Sequence, residues 1–216
     1  PYGMALAALT AALFAPDHPY HWMTIGSAED IRAMALDDVQ AFFRTYYHPA
    51  NASLALAGNL ETDEAIGLAE RYFGDIPTGT RPASVVAEAS LDREVRIVLE
   101  DRVELPRLYM AWHSPAMFAP GDAELDLLSD LLANGKTSRL YRSLVYERRV
   151  ALDVSAFQAS REMSSFFLLV VTAAPGEGLD GLAATIDDEL GRMSAELVVH
   201  PLRQALETAL LHISQP

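Results

Sequence analysis

The sequence predicts an α+β protein, with a mixed, largely antiparallel sheet and helices packed against it. Three observations predict it. Segments with apolar residues at helical spacing alternate with short apolar runs of strand length. Two of those runs, 152–158 and 166–173, are separated by a polar turn and read as an antiparallel pair. The helical segments are apolar along one stripe only, the pattern of a helix that covers one face of a sheet.

The elements follow in order. Residues 4–14 are rich in Ala and Leu, with Leu6, Leu9 and Leu13 on one helical face. A proline-bearing loop follows at 15–19. Ser27 and Asp30 are spaced like a capping box and open a short helix. Asp37 is placed to cap the next helix, whose stripe is Val39, Phe42, Phe43 and Tyr46. His48 and Pro49 stop it. Residues 52–57 are apolar on both faces, the pattern of a strand inside a sheet. Thr62 is placed to cap a helix carrying Ala65, Ile66, Leu68, Ala69 and Tyr72, which closes at Gly74.

From 78 to 89 the helical period disappears and Pro, Gly, Thr, Ser and Ala dominate, as in a linker. The expected organisation is therefore a first α+β block over 1–78, a linker over 79–92 and a second block over 93–216. In the second block, 95–100 and 108–113 read as strands, with Pro106 where a missing N–H is tolerated. Asp122 is placed to cap a helix with Leu125, Leu128 and Leu132 that ends at Asn134 and Gly135. A helix over about 138–148 comes next, then the hairpin. Leu182, Ile186, Leu190, Met193 and Leu197 mark a long amphipathic helix. Pro201 suits the first position of a last helix with Leu202, Leu206, Leu210 and Ile213.

A chain of 216 residues is enough for one large domain or two small ones. It has no cysteine, which excludes disulfides, thiolate metal sites and a cysteine nucleophile. With 16 Lys+Arg against 30 Asp+Glu, its net charge of −14 repels a phosphate backbone, so nucleic acid is not an expected partner. The longest apolar run, around 166–171, is far short of the ~20 residues that cross a bilayer.

Peptide hydrolysis at an inverted zinc site needs H-x-x-E-H on one helix. None of the six histidines, His18, His21, His48, His113, His200 and His212, begins that motif. His18 and His21 are three apart, but Pro19 lies between them in a loop, so packing is the better reading than a metal pair. Asn134 to Ser138 resembles the end of a phosphate loop. Asp130 stands where the motif needs its first glycine, so a helix stop followed by a new cap fits better. Asn51-Ala52-Ser53 fits a glycosylation acceptor but enters the expected buried strand. No nucleophile elbow is present. Arg139, Tyr141, Arg142, Tyr146, Arg148 and Arg149 read as a mixed helix surface able to hold a peptide or a partner domain. The sequence thus offers no catalytic, cofactor-binding or metal residue.

Several runs together carry a resemblance: HPY at 18–20, IGSAEDI at 25–31, FFRTYYHPANASLALAGN at 42–59, RYFGDIP at 71–77, PRLYMAWHSPA at 106–116 and SRLYRSLVYERRVALDVSAF at 138–157. In order and spacing they resemble the pitrilysin/insulinase-type zinc metallopeptidases, over nearly the whole chain. The resemblance implies a segment spanning the end of the catalytic domain and the following inactive domain. Every metal ligand then falls ahead of Pro1, so this segment holds no zinc, although the full-length parent does. The family's substrate-holding Arg and Tyr correspond to Val145 and Leu152, neither of which donates a hydrogen bond.

The resemblance further implies a non-catalytic segment that forms chamber wall and domain interface. Its partners would be the catalytic domain and second half of the parent, with peptide as the parent's substrate. A structural or partner subunit without peptidase activity is the alternative, and an unrelated ligand-binding α+β domain is a third. Because the family's domains are duplicates, 53–57 is expected to fill an empty place beside the strands at 108–112 and 166–171, within one chain or across a homodimer. Nothing in the sequence assigns a compartment; the resemblance alone points to the periplasm or cell envelope.

Overall fold

The computed structural model describes residues 2–196, the side chains of 194–196 excepted. The helix expected from Pro201, and with it His200 and His212, lies outside the described residues. The elements are α1 (Ala5–Leu13), α2 (Ala28–Ala33), α3 (Leu36–Tyr46), α4 (Thr62–Phe73), β1 (Arg107–Ser114), α5 (Asp122–Ala133), a π helix (Tyr141–Glu147), β2 (Ala151–Ala159), β3 (Ser165–Ala173) and α6 (Leu179–Glu196). Among the described residues, 2–23 and 87–196 form one compact unit and 24–86 a second.

The first unit is built on a three-stranded antiparallel sheet in the order β1-β3-β2. The architecture is α+β, as the pattern of alternating elements predicts. Strand β3 is central and almost wholly buried, which explains why its sequence, SFFLLVVTA, is a continuous apolar run rather than an alternation. Its odd-numbered residues Phe167, Leu169, Val171 and Ala173 join Leu125, Leu128, Leu132, Leu144, Leu182 and Ile186 in the main core. Its even-numbered residues Phe166 and Leu168 form a second core with Leu13 and Phe14. The alternation of side chains along one strand therefore gives each face its own cover.

The sequence reading groups 1–78, but the described residues 2–23 fold on the sheet of the later block. Leu13 and Phe14 are buried against Phe166 and Leu168. The Tyr2 hydroxyl donates to the Leu105 carbonyl at 2.6 Å, and the Arg107 guanidinium lies 3.8 Å from the centre of the Tyr2 ring. The Met163 N–H donates to the Tyr20 hydroxyl at 3.3 Å.

Residues 24–86 contain α2, α3 and α4 and bury no residue. Ser27 caps α2 as its spacing predicts: its Oγ accepts from the Asp30 N–H at 3.0 Å and donates to Oδ2 of Asp30 at 2.7 Å. Elsewhere the start moves. Residue Ala35, not Asp37, precedes α3, and Asp38 accepts from the Ala35 N–H. Glu61, not Thr62, precedes α4. Gly121, with a φ of +99° open to glycine, precedes α5, so Asp122 is its first helical residue.

Two expected strands are absent. Residues 52–57 and 95–100 join no ladder among the described residues, and their apolar side chains are exposed; Val98 is 88 % exposed. Within the chain, 53–57 is thus not part of the β1-β3-β2 sheet. A strand is defined by its partner, and no described strand supplies one to either run.

Candidate functional site

Among the described residues, His18, His21, His48 and His113 each have another local setting. His18 is 2 % exposed and precedes the 3-10 turn Pro19–His21, where its Nδ1 accepts from the Tyr20 N–H at 3.0 Å. His21 Nδ1 lies 2.7 Å from the Phe14 carbonyl. The pair read as a weak metal candidate is thus spent on backbone contacts. His48 Nε2 lies 3.0 Å from the Thr45 carbonyl, as a helix-end side chain. His113 sits near the end of β1 with its ring edge-on to Phe14, centroids 5.4 Å apart. Burial holds His113 below the ordinary histidine range of 6.5; the Leu13 carbonyl acts upward and the nearby His18 ring downward. Among the described residues no three His, Asp or Glu side chains converge to hold a metal ion. The described donor set does not fit a zinc site.

The stretch Asn134 to Ser138 is a helix stop. Gly135 has a φ of +84°, and both the N–H and the hydroxyl of Ser138 donate back to its carbonyl. The acceptor sequence Asn51-Ala52-Ser53 is exposed, contrary to the buried strand expected there, and Asn51 Nδ2 donates to the Tyr46 carbonyl at 3.0 Å. Val145 packs partly buried against the main core, while Leu152 is exposed where β2 shifts register. Neither offers a substrate clamp.

The Arg and Tyr cluster is where side chains converge. Glu189 on α6 is buried, with its side chain 8 % exposed. Its Oε1 accepts from Ser143 Oγ at 2.9 Å, Arg148 Nη2 at 3.3 Å and Arg192 Nη1 at 3.3 Å, and Arg139 Nε lies 3.8 Å from Oε2. One carboxylate thus ties α6 to the π helix and its flanks. Arg142 pairs outside this group with Glu147, in the open. The 138–148 segment was expected as an α-helix; its wider π turns, with the Arg148 N–H donating to the Ser143 carbonyl, accompany this convergence. Sequence reading missed Glu189, although the signal is present: it interrupts the buried stripe Leu182, Ile186, Met193 at a core-facing position.

A second polar network was also missed. Asp122 Oδ1 accepts from Ser160 Oγ at 2.6 Å and from Gln158 Nε2 at 3.0 Å, and its Oδ2 accepts from the Phe118 N–H at 2.9 Å. Ser114 Oγ donates to Gln158 Oε1 at 2.8 Å. Burial acts to raise the Asp122 carboxyl, but the hydrogen bonds from Ser160, Gln158 and Phe118 outweigh it and hold the group below its ordinary 3.8. The network joins the ends of β1 and β2 to the start of α5. Both networks tie elements together through buried carboxylates that accept from serine hydroxyls.

A family model described as the peptidase M16 inactive domain matches residues 33–199. The chain is 28 % identical over 173 residues to the zinc protease PqqE of Helicobacter pylori, covering 78 % of this chain and 39 % of that protein. It is 25 % identical over 217 residues to the mitochondrial-processing peptidase subunit beta of Blastocladiella emersonii, covering 94 % and 45 %. A crystal structure of a protease from Helicobacter pylori superposes with a TM-score of 0.78 at 24 % identity, over 97 % of this chain and 51 % of that one. The chain thus spans less than half the length of these two curated relatives.

Proposed function

Because the chain belongs to the peptidase M16 inactive-domain family, we propose that it is the non-catalytic segment of a zinc-dependent peptidase, forming chamber wall and domain interface while the full-length protein hydrolyses peptides. In this reading 1–78 is the tail of the catalytic domain, 79–92 is a linker and 93–216 begins the second domain. Residues 2–23 then strap the first domain's chain to the second domain's sheet. The zinc and the general base belong to the parent's catalytic part, and none of the site's chemistry is assigned to a residue of this chain.

One observation carries the interface: the 24–86 unit buries nothing, yet it is strongly apolar. Phe42, Phe43, Tyr46 and Tyr47 cluster along α3 at centroid separations of 4.5–6.3 Å, each about half or more exposed. Beside α4 an open apolar groove of ≈ 350 Å³ is lined by Leu54, Leu56, Leu60, Ala65, Ile66 and Ala69. Apolar surface of this extent marks a contact face, and the unmatched remainder of a longer parent is the partner that fits it. The outer strands β1 and β2 also offer edges through which two copies could pair in the isolated chain.

The purified chain is expected to hold no stoichiometric zinc and to cleave no peptide. Elemental analysis and a peptide-cleavage assay test this; bound zinc together with cleavage lost to a chelator would overturn it. The apolar residues at the clamp positions, Val145 and Leu152, also favour a second reading: a structural or partner subunit with no peptidase activity. An H-x-x-E-H encoded ahead of this region, with a further Glu, separates the first reading from the second.

A further inference from the structure

We infer that Arg148 and Arg192, both anchored on the buried carboxylate of Glu189, form a seat for the carboxylates of an acidic peptide segment. Arg148 Nη2 and Arg192 Nη1 each donate to Glu189 Oε1 at 3.3 Å. Arg139 Nε lies 3.8 Å from Oε2 of the same group. The single charge of Glu189 is shared among these arginines and cannot offset all of them. A guanidinium has five N–H donors. Among the described residues, Arg148 and Arg192 each spend one of theirs on Glu189 and donate to no other group.

The arrangement is built rather than incidental. The side chains of Arg148 and Arg192 are 36 % and 57 % exposed, while that of Glu189 is 8 % exposed. The anchor is buried and the arginines reach solvent. Ser143 donates to the same carboxylate oxygen at 2.9 Å and fixes its orientation. Side chains pinned in this way lose less freedom when they bind. A planar guanidinium fork also matches the two oxygens of a carboxylate. Two backbone departures mark the same place. The π helix Tyr141–Glu147 is of a kind that recurs at functional sites. Arg149, exposed, holds a φ of +57°, which a non-glycine residue seldom adopts.

Charge selects the ligand. Residues 136–149 carry Lys136, Arg139, Arg142, Arg148 and Arg149 against Glu147 alone, in a chain of net charge −14. Glu147 is taken by Arg142 at 2.7 Å. The exposed Asp187 and Asp188 of α6 make no ion pair with Arg148 or Arg192. The chain as a whole repels an acidic ligand, so such a ligand needs a local excess of cations, and one lies here. At about 0.1 M salt, charges more than ~10 Å away are largely screened, so the patch acts by its own sign. Tyr146, 57 % exposed and two residues before Arg148, adds a ring that a peptide can cover and a bare anion cannot. Neither arginine stands at Val145 or Leu152, where the family's clamp would be, and the seat does not depend on the parent's being a peptidase.

Fluorescence anisotropy of dye-labelled hexaglutamate titrated with the full chain at about 0.1 M salt tests this, with labelled hexaglutamine as the uncharged control. Hexaglutamate is expected to bind and hexaglutamine not. Arg148→Gln and Arg192→Gln should each weaken binding about three- to fivefold, the worth of one exposed charge pair. Arg93→Gln, which removes an exposed charge elsewhere, should weaken it less than about twofold. Glu189→Gln separates a built seat from bulk attraction, because it makes the patch more positive yet removes the anchor. A seat then binds more weakly. Unchanged or tighter binding in Glu189→Gln, equal losses in Arg93→Gln and Arg192→Gln, or no binding by the native chain overturns the inference. A salt-sensitive dimer that Arg192→Gln abolishes, without peptide binding, also overturns it and makes a second copy the occupant. If Glu189→Gln does not fold, the comparison of Arg148→Gln and Arg192→Gln with Arg93→Gln decides.

Discussion

The helices α4 and α5 have the same length, and both carry an apolar stripe, yet their fates differ. Leu125, Leu128 and Leu132 of α5 are buried beneath the sheet, whereas Ile66, Leu68 and Tyr72 of α4 are exposed. The difference lies in the partner. Helix α5 packs on the strands of its own unit; α4 finds no strand within 24–86. An amphipathic stripe thus states a demand for a covering surface, and the demand is met in one region and open in the other. This is why the second region reads as half of an interface.

The sharpest way to break that comparison is to delete equivalent apolar bulk in both regions. Leu128→Ala is expected to cost about 3 kcal/mol, because it leaves a cavity in the main core that the sheet closes on one side. Urea unfolding of the purified chain measures it. A cost under about 1 kcal/mol would mean that the core packs more loosely than its burial indicates.

Much of the fold was legible in the sequence because its signals are local. The apolar run of β3 announced a strand, and its pairing with β2 followed from the polar turn between them. The runs at 52–57 and 95–100 carry equally good strand chemistry but form no ladder, since pairing is a property of two segments. Helix starts slipped by one or two residues at Asp37, Thr62 and Asp122, because side-chain type alone does not say which residue leaves helical backbone first. At the site level the lack of a zinc motif was legible residue by residue. The meeting of His18 with His113 was not: 95 residues separate them, and only the docking of α1 on β1 and β3 brings them to one ring of Phe14.

A smaller effect tests the polar side of the well-packed region. Glu189→Gln keeps the size of the side chain but removes the charge that Arg139, Arg148 and Arg192 share. The arginines are partly in solvent, so their loss is cushioned. The buried end, with Ser143 donating to it, is not. A loss of about 2 kcal/mol in urea unfolding is expected, below that of a broken fully buried pair. Its sign distinguishes a structural carboxylate from an idle one: a variant as stable as the native chain would show that α6 is held by its apolar stripe alone.

The smallest expected effect is the most informative about the open region. Phe42 is 52 % exposed and lies against the rings of Phe43, Tyr46 and Tyr47. Phe42→Ala should therefore change the stability of the isolated chain by less than about 0.5 kcal/mol, as surface substitutions do. In a longer protein that covers this face, the same substitution should cost about 3 kcal/mol, as removing a buried phenylalanine does. The contrast between the two measurements reads out coverage directly. Equal small costs in both settings would mean that α3 faces solvent in the parent too, and the interface would then have to be sought on another surface.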